Sequence, residues 1–370
     1  MPDPCSIGLR RVNRIPRAGP PFRLAAAASL LRTAAVTQPC RECQDWVMDY
    51  SPLPVGRRAV VTGGAGFIGS HVADRLIGLG YEVLVVDNLA TGALSNVAPA
   101  ARLEELDVAD PALERLFAEW RAEVVVHCAA QVSVAASVLD PALDARSNVL
   151  GTVATIGAAV AGGCRTFVYV TTGGALYGTP RYLPCDEDHP IEPISPYGLS
   201  KWIGERYLGL LGPPSMRRMV LRLANVYGPR QRSDAEGGVV AIFAERMKSG
   251  LPIEITGDGQ QTRDFVYVGD VVDAVVAAIN APQSATVNIA TARAVSVVEL
   301  HDSLSAIAGY SKPPVFVAPR PGDIRHSRLA IGKAQRELGW SPRTTLEAGL
   351  ADTYASLGSG VAGSWQPPAE

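Results

Sequence analysis

The sequence predicts an α/β fold, a Rossmann-type doubly wound parallel sheet with a smaller C-terminal α/β substrate domain, and three observations carry that expectation. Short apolar runs at Arg58 to Val61, Val83 to Val86, Val124 to Ala130, Thr166 to Val170 and Met219 to Leu223 alternate with stretches of helical spacing. Continuous apolar runs of that length are what parallel strands covered on both faces require. The first two runs are joined by a glycine-rich turn and an apolar helix, and the second ends in an acid, Asp87. Beyond Leu223 the regular alternation stops, which marks the passage to a second domain.

The turn reads Thr62-Gly63-Gly64-Ala65-Gly66-Phe67-Ile68-Gly69. In a strand–turn–helix setting Gly63 lets the chain leave the strand sharply, Gly66 lets backbone N–H groups approach a pyrophosphate, and Gly69 lets the helix pack close to the sheet. The helix N-terminus adds the partial positive charge that holds an anion. Asp87 stands where a carboxylate accepts hydrogen bonds from adenosine ribose hydroxyls and repels a 2′-phosphate, so the expected cofactor is NAD rather than NADP.

The remaining elements follow in order. Asn88 to Ala98 reads as a loop, Leu103 to Leu106 as a strand ending in Asp107-Val108, and Pro111 to Trp120 as a helix. The run Val124 to Ala130 ends in the small residues Ala129 and Ala130, where a bulky side chain would collide with a dinucleotide, and His127 inside it reads as a core histidine. One long helix is expected from Pro141 to Ala161, carrying Asn148 as a candidate on the cofactor side. Past Leu223, Gly237 to Lys248 reads as helix, Ile253 to Ile255 as strand, and Arg263 leads a single strand-like run to Val268. Arg263 either grips phosphates or pairs with a carboxylate such as Asp264. Val271 to Ile279 is helical, Val287 to Ala290 a strand, and Ser296 with Glu299 forms a capping box. The expected domains are 56–225 for cofactor binding, with segments near 264–275 and 287–290 returning to it, 226–355 mainly for substrate, and a tail over 356–370. Residues 1–55, rich in Arg, Ala and Pro, are expected to be disordered, or residues 1–47 to precede a true start at Met48.

A net charge of −2 supplies no field that would recruit nucleic acid. No apolar run reaches the roughly twenty residues needed to span a bilayer, so no membrane role is expected and the cytoplasm is the expected location. The six cysteines show no disulfide framework, and Cys40-x-x-Cys43 lacks a second ligand pair, so no metal is expected.

Chemistry concentrates downstream of Thr166 to Val170. Thr171-Thr172-Gly173-Gly174-Ala175-Leu176-Tyr177 puts hydroxyls at a strand end, where ligands of open parallel sheets bind. Tyr197 and Lys201 then lie one turn apart on one helix face. A lysine ammonium beside a phenol lowers a pKa that is otherwise near 10, which would make Tyr197 a base near neutral pH. A surface Tyr and Lys pair at this spacing is also common.

Together these motifs place the chain, from Arg58 to about Ala355, in a resemblance to the extended short-chain dehydrogenase/reductase family of nucleotide-sugar enzymes, most closely the UDP-glucose (UDP-galactose) 4-epimerases. The residues that carry it are the Thr62 to Gly69 turn, Asp87-Asn88, Asp107-Val108, Ala129-Ala130, Tyr197 with Lys201, Asn225-Val226-Tyr227-Gly228-Pro229, Arg263-Asp264-Phe265, and Arg320 with Asp323. The resemblance implies that Phe67 and Ile68 cover the pyrophosphate, Asp87 and Asn88 bind the ribose, and Asp107 and Val108 meet the adenine. It implies that Tyr197 is the base, Lys201 holds the nicotinamide ribose, and Asn225, Arg263, Arg320 and Asp323 contact the nucleotide-sugar. NAD would oxidise the sugar at C4 and return the hydride to its other face. The family puts Ser or Thr four residues before the Tyr of its Tyr-Gly pair; that position is Gly173 here, so Thr172 is the candidate hydroxyl. The resemblance also implies a UDP-sugar or other nucleotide-sugar as substrate and a homodimer. By counting from Asp323, Ser327 lines the sugar pocket, its small side chain admitting an N-acetyl group; alternatively it caps a helix starting near Leu329. Dehydratases and decarboxylases of the family carry acids after the threonine, where this chain has Gly174-Ala175. A dinucleotide-binding regulatory protein without turnover is the reading of another class.

Overall fold

The computed structural model describes residues 57–233, 238–319 and 324–357. The expectations for residues 1–55, for Cys40 and Cys43, for Arg320 and Asp323 and for the tail beyond 357 therefore lie outside the described residues.

The cofactor-type half is built as its apolar runs require. β1 (Arg58–Thr62), α1 (Phe67–Gly78) and β2 (Glu82–Asp87) form a parallel unit with Val60 opposite Leu84. β3 (Arg102–Glu105) extends it beyond β2; α2 (Ala112–Trp120) then carries the chain back to β4 (Val124–His127), which pairs with the other side of β1. The strand order thus reverses between β1 and β4, and their carboxyl ends open the crevice in which such sheets bind ligands. α3 (Val134–Leu139), α4 (Pro141–Ala145) and α5 (Gly151–Ala161) lead to β5 (Thr166–Thr172), and α6 (Gly173–Leu176) and α7 (Pro196–Leu211) lead to β6 (Arg217–Leu223).

Beyond β6 come β7 (Asn225–Tyr227), α8 (Val239–Lys248), β8 (Glu254–Thr256), β9 (Thr262–Arg263), β10 (Phe265–Tyr267) and α9 (Val268–Asn280). β11 (Ala285–Ile289) returns to the large sheet beside β6, whose order is β11-β6-β5-β4-β1-β2-β3 with every pairing parallel. β12 (Val295–Ser296), α10 (Val297–Ala308), β13 (Val315–Val317), α11 (Gly332–Leu338) and α12 (Leu346–Ser356) complete the described chain. The Ser296–Glu299 capping box forms at the start of α10.

Alternation along each strand divides the core into two layers. Val61, Val85, Val126, Val168 and Leu221 pack with α1 and α9, while Val60, Leu84, Val125, Phe167 and Tyr169 pack with α2, α5 and α7. A third cluster, with Tyr227, Phe243, Phe265, Leu300 and Leu350, joins β7 and β10 to α8, α10 and α12.

Three expectations are corrected. The helix expected over Pro141 to Ala161 contains a five-residue π-turn, Arg146–Leu150, that buries Asn148. The run from Arg263 to Val268 is two strands in two sheets, β9 antiparallel to β12 and β10 parallel to β7. Asp264 lies between them, fully buried, accepting from the Thr291 N–H and hydroxyl and from the Leu329 N–H. A buried carboxylate has to be satisfied, and these partners fix the break. Ser327 caps no helix: Leu329 forms a β-bridge with Cys185, and α11 begins only at Gly332.

Candidate active site

At the crevice Gly63 has φ +69°, and a Cβ there would sit 2.6 Å from the Ala129 nitrogen. A Cβ on Gly69 would fall 2.1 Å from the Gly63 carbonyl oxygen. Gly66 is the N-cap of the 12-residue α1, and no side chain caps the N–H groups of its first turn. Asp87 is buried; its Oδ2 accepts the Ala65 N–H at 3.0 Å and its Oδ1 the Leu89 N–H at 2.8 Å, which locks the glycine turn to the end of β2. A carboxylate oxygen accepts more than one hydrogen bond, so acceptor capacity remains. Asn88 donates from Nδ2 to Asp107 Oδ2 at 2.8 Å, and Asp107 Oδ1 accepts the Ala109 N–H, so Asp87, Asn88, Asp107 and the buried Val108 are brought together.

Behind Ala129 and Ala130 runs a buried chain of hydrogen bonds. The Ala129 N–H points to Thr62 Oγ1, which lies 2.6 Å from His127 Nδ1; His127 Nε2 lies 3.0 Å from Thr152 Oγ1, which donates to the Asn148 carbonyl. Because the Thr152 hydrogen is engaged with Asn148, Nε2 carries the imidazole hydrogen and Nδ1 accepts from Thr62. Burial holds His127 down at about 3, a neutral core histidine as its apolar run suggested. The Asn148 side chain accepts from the Gln131 N–H and donates to the Gln131 carbonyl and to Asp144. Both amide hydrogens being engaged, Asn148 braces the segment after Ala130 from behind.

Thr172 ends β5 and caps α6, its Oγ1 accepting the Ala175 N–H. Ser195 caps α7 with Pro196 in the first turn, which sets Tyr197 and Lys201 on the face turned to β5. Gly198 permits the approach: a Cβ there would be 2.6 Å from the Ala175 carbonyl oxygen. The Thr172 hydroxyl stands near enough to the Tyr197 phenol to favour its ionised form. A Cβ on Gly173 would fall 2.5 Å from Leu329 Cδ1, so a leucine fills the space that a side chain at this position would need, and the hydroxyl beside the phenol is that of Thr172, one residue earlier. The Cβ position of Gly174 is open, 3.8 Å from Thr172 Oγ1 and 3.9 Å from Asn225 Oδ1, so both side chains border one space.

Burial pushes the Tyr197 phenol up to about 12, with Asp144 raising it and the Thr172 hydroxyl lowering it. The expected depression of Tyr197 by Lys201 is therefore not produced by the protein's groups alone, because desolvation of the phenolate outweighs them. Burial also brings Lys201 down to about 8, opposed by Cys128, Glu205 and Asp144. Arg263 is half-buried and donates to the Thr262 carbonyl; the Ser327 N–H donates to that same carbonyl, so both expected substrate residues flank Thr262. Among the described residues no group of three or more His, Cys, Asp or Glu is placed to hold a metal.

Residues 59–290 match the model of the NAD dependent epimerase/dehydratase family. The chain belongs to that family. UDP-glucose 4-epimerase of Mycolicibacterium smegmatis is 43% identical over 309 residues, covering 80% of this chain and 97% of its own. The crystal structure of UDP-glucose 4-epimerase with UDP-glucose from Thermotoga maritima is similar at a TM-score of 0.80 and 45% identity, covering 81% of this chain and 98% of its own. That of the Thermus thermophilus UDP-glucose 4-epimerase complex with NAD has a TM-score of 0.76 and 40% identity, covering 81% and 98%. NAD, the cofactor of the epimerase/dehydratase family, fits the residues present: Cβ atoms at Gly63 and Gly69 would collide with backbone, the α1 N-terminus is uncapped by any side chain, and Asp87 keeps acceptor capacity at the end of β2. Gln131, Asp144, Thr152 and Leu329 act in this site without a local motif to announce them; the spacing of Asp144 and Asn148, one helical turn apart, is the one readable signal.

Proposed function

We propose that this chain is an NAD-dependent nucleotide-sugar 4-epimerase that interconverts UDP-glucose and UDP-galactose. The observation that carries the proposal is that Thr172 ends β5 where α7, bearing Tyr197 and the buried Lys201 one turn apart, packs against it, beside a dinucleotide cradle and with no carboxylate at residues 173–175. The relatives' UDP-glucose and NAD support it. Bound NAD, held by the Gly63–Gly69 turn and Asp87, would supply a reversible hydride acceptor for C4. Tyr197 takes the proton of the 4-hydroxyl and returns it, Thr172 hydrogen-bonds the 4-oxygen, and Lys201 keeps positive charge near the phenol. Asn225 and Arg263, with Arg320 and Asp323, hold the nucleotide end so that the oxidised sugar turns while the diphosphate stays fixed. In this reading residues 56–225 with β11 bind NAD and 226–355 mainly bind the nucleotide-sugar.

We place the enzyme in the cytoplasm as a homodimer. Leu139, Leu143, Leu150, Ile194 and Leu199 are exposed around one face formed by α3 to α5 and α7, which a second copy would cover. Among the described residues no helix is long and apolar enough to cross a membrane.

Two tests belong here. Asp87→Ala is expected to weaken NAD binding at least about tenfold by calorimetry, because charged acceptors for ribose hydroxyls are lost; unchanged affinity removes Asp87 from the site. Ser327→Tyr is expected to suppress turnover of UDP-N-acetylhexosamines while sparing UDP-galactose, since added bulk excludes the acetyl group. Wild-type rejection of the acetylated sugars, or equal loss of both classes, removes Ser327 as the gate.

A further inference from the structure

Lys201 carries its charge in an unusual setting. It is 3% exposed, and burial disfavours its ammonium. Of the acids that act on it electrostatically, Glu205, one turn along α7, forms an ion pair with Arg222 at 2.8 Å, and Asp144 on α4 accepts from Asn148 and Gln131 through Oδ1, its buried Oδ2 having no hydrogen-bond partner. Cys128, at the end of β4, is a thiol that burial pushes up to about 12, and His127 is neutral. What lies under the Lys201 ammonium is the ring of Tyr169, 4.4 Å from Nζ to centroid.

That ring is held from every side. Tyr169 lies on β5 and is fully buried. The His127 imidazole stacks on it at 5.6 Å with an interplanar angle of 16°. Its hydroxyl donates to the Lys201 carbonyl at 3.4 Å. Gly204, three residues beyond Lys201, makes the room: a Cβ there would be 2.3 Å from the Tyr169 oxygen and 2.8 Å from Cζ. Helix α7 therefore closes over the ring only because it carries glycine at that point.

We propose that Tyr169 is a positioning residue whose π face stands in for a counter-ion to Lys201, keeping the ammonium charged and aimed at the active site. A cation over an aromatic face is attracted by the ring's quadrupole, most strongly where water is excluded. The choice of a ring over a carboxylate has a consequence for the chemistry. A carboxylate at that place would cancel the ammonium's field at the Tyr197 phenol, whereas a quadrupole carries no net charge and leaves most of that field intact. The functional part of this inference rests on the epimerase reading, in which Lys201 stabilises the Tyr197 phenolate; the effect of the ring on Lys201 does not.

The chain has four lysines, Lys201, Lys248, Lys312 and Lys333, of which Lys201 alone is buried, so its side-chain signal in lysine-labelled, NAD-loaded protein is separable by NMR. The experiment compares wild type with Tyr169→Phe and with proteins carrying mono-, di- and trifluorinated phenylalanine at 169, which keep the ring's shape and progressively drain its face of negative charge. Tyr169→Phe is expected to leave the Lys201 titration midpoint nearly unchanged, and the fluorinated series to lower it stepwise by about one pH unit in total, the size of a desolvated cation–π contact. The acid limb of the turnover profile is expected to move up in step, as a less charged Lys201 stabilises the phenolate less. A midpoint constant across the fluorinated series overturns the proposal. A midpoint that moves in a protein without turnover on UDP-galactose upholds the role of Tyr169 and overturns the epimerase reading instead.

Discussion

Tyr197→Phe is expected to keep NAD bound and to lose about 10²- to 10⁴-fold in turnover, the usual contribution of a positioned acid–base group. The ring and its packing survive the change, so the loss isolates the proton-transfer oxygen. That oxygen lies near the Thr172 hydroxyl, and Gly198 lets α7 bring it against the end of β5. Single-turnover kinetics on UDP-galactose, with NAD content measured on the same sample, check it. Near-normal turnover removes Tyr197 as the base; loss of NAD together with activity shows a binding role.

Glu205→Gln is expected to cost about 3–5 kcal/mol of stability, because it leaves a buried guanidinium without its counter-charge. Arg222 and Glu205 have side chains only 7% exposed each and meet through Nη2 at 2.8 Å and Nε at 3.1 Å. The pair ties α7 to β6, and Arg222 Nη1 reaches on to the Tyr177 hydroxyl, which donates to Asn288 on β11. The helix that presents Tyr197 and Lys201 is thereby fastened to the sheet by a charge pair. Urea unfolding should show a lower midpoint at an unchanged slope. A loss below about 1 kcal/mol would show that the guanidinium finds water or another acceptor.

What was legible in the sequence is what short-range chemistry dictates. The Gly63–Gly69 turn, the acid at Asp87, the apolar runs of the strands and the Ser296–Glu299 box are each written within a few consecutive residues, and the structure forms them. What was hidden depends on partners distant in sequence. The break at Asp264 is enforced by Thr291 and Leu329, and the exclusion of a hydroxyl from position 173 comes from that same Leu329, more than 150 residues away. The π-turn at Asn148 answers to Gln131 as well as to Asp144 one turn back, and the Gln131 contact is one that no helical periodicity reveals. Tyr169 read as one more apolar strand residue, since its contact with Lys201 exists only once Gly204 has let the helix close.

The most direct test of transient oxidation at C4 is proton NMR of UDP-galactose incubated with the NAD-loaded protein in D2O. The expected result is equilibration with UDP-glucose, protium retained at C4, and no accumulation of NADH, since the hydride taken from C4 is the one returned. Deuterium at C4, stoichiometric NADH, or UDP-galactose left unchanged would contradict it.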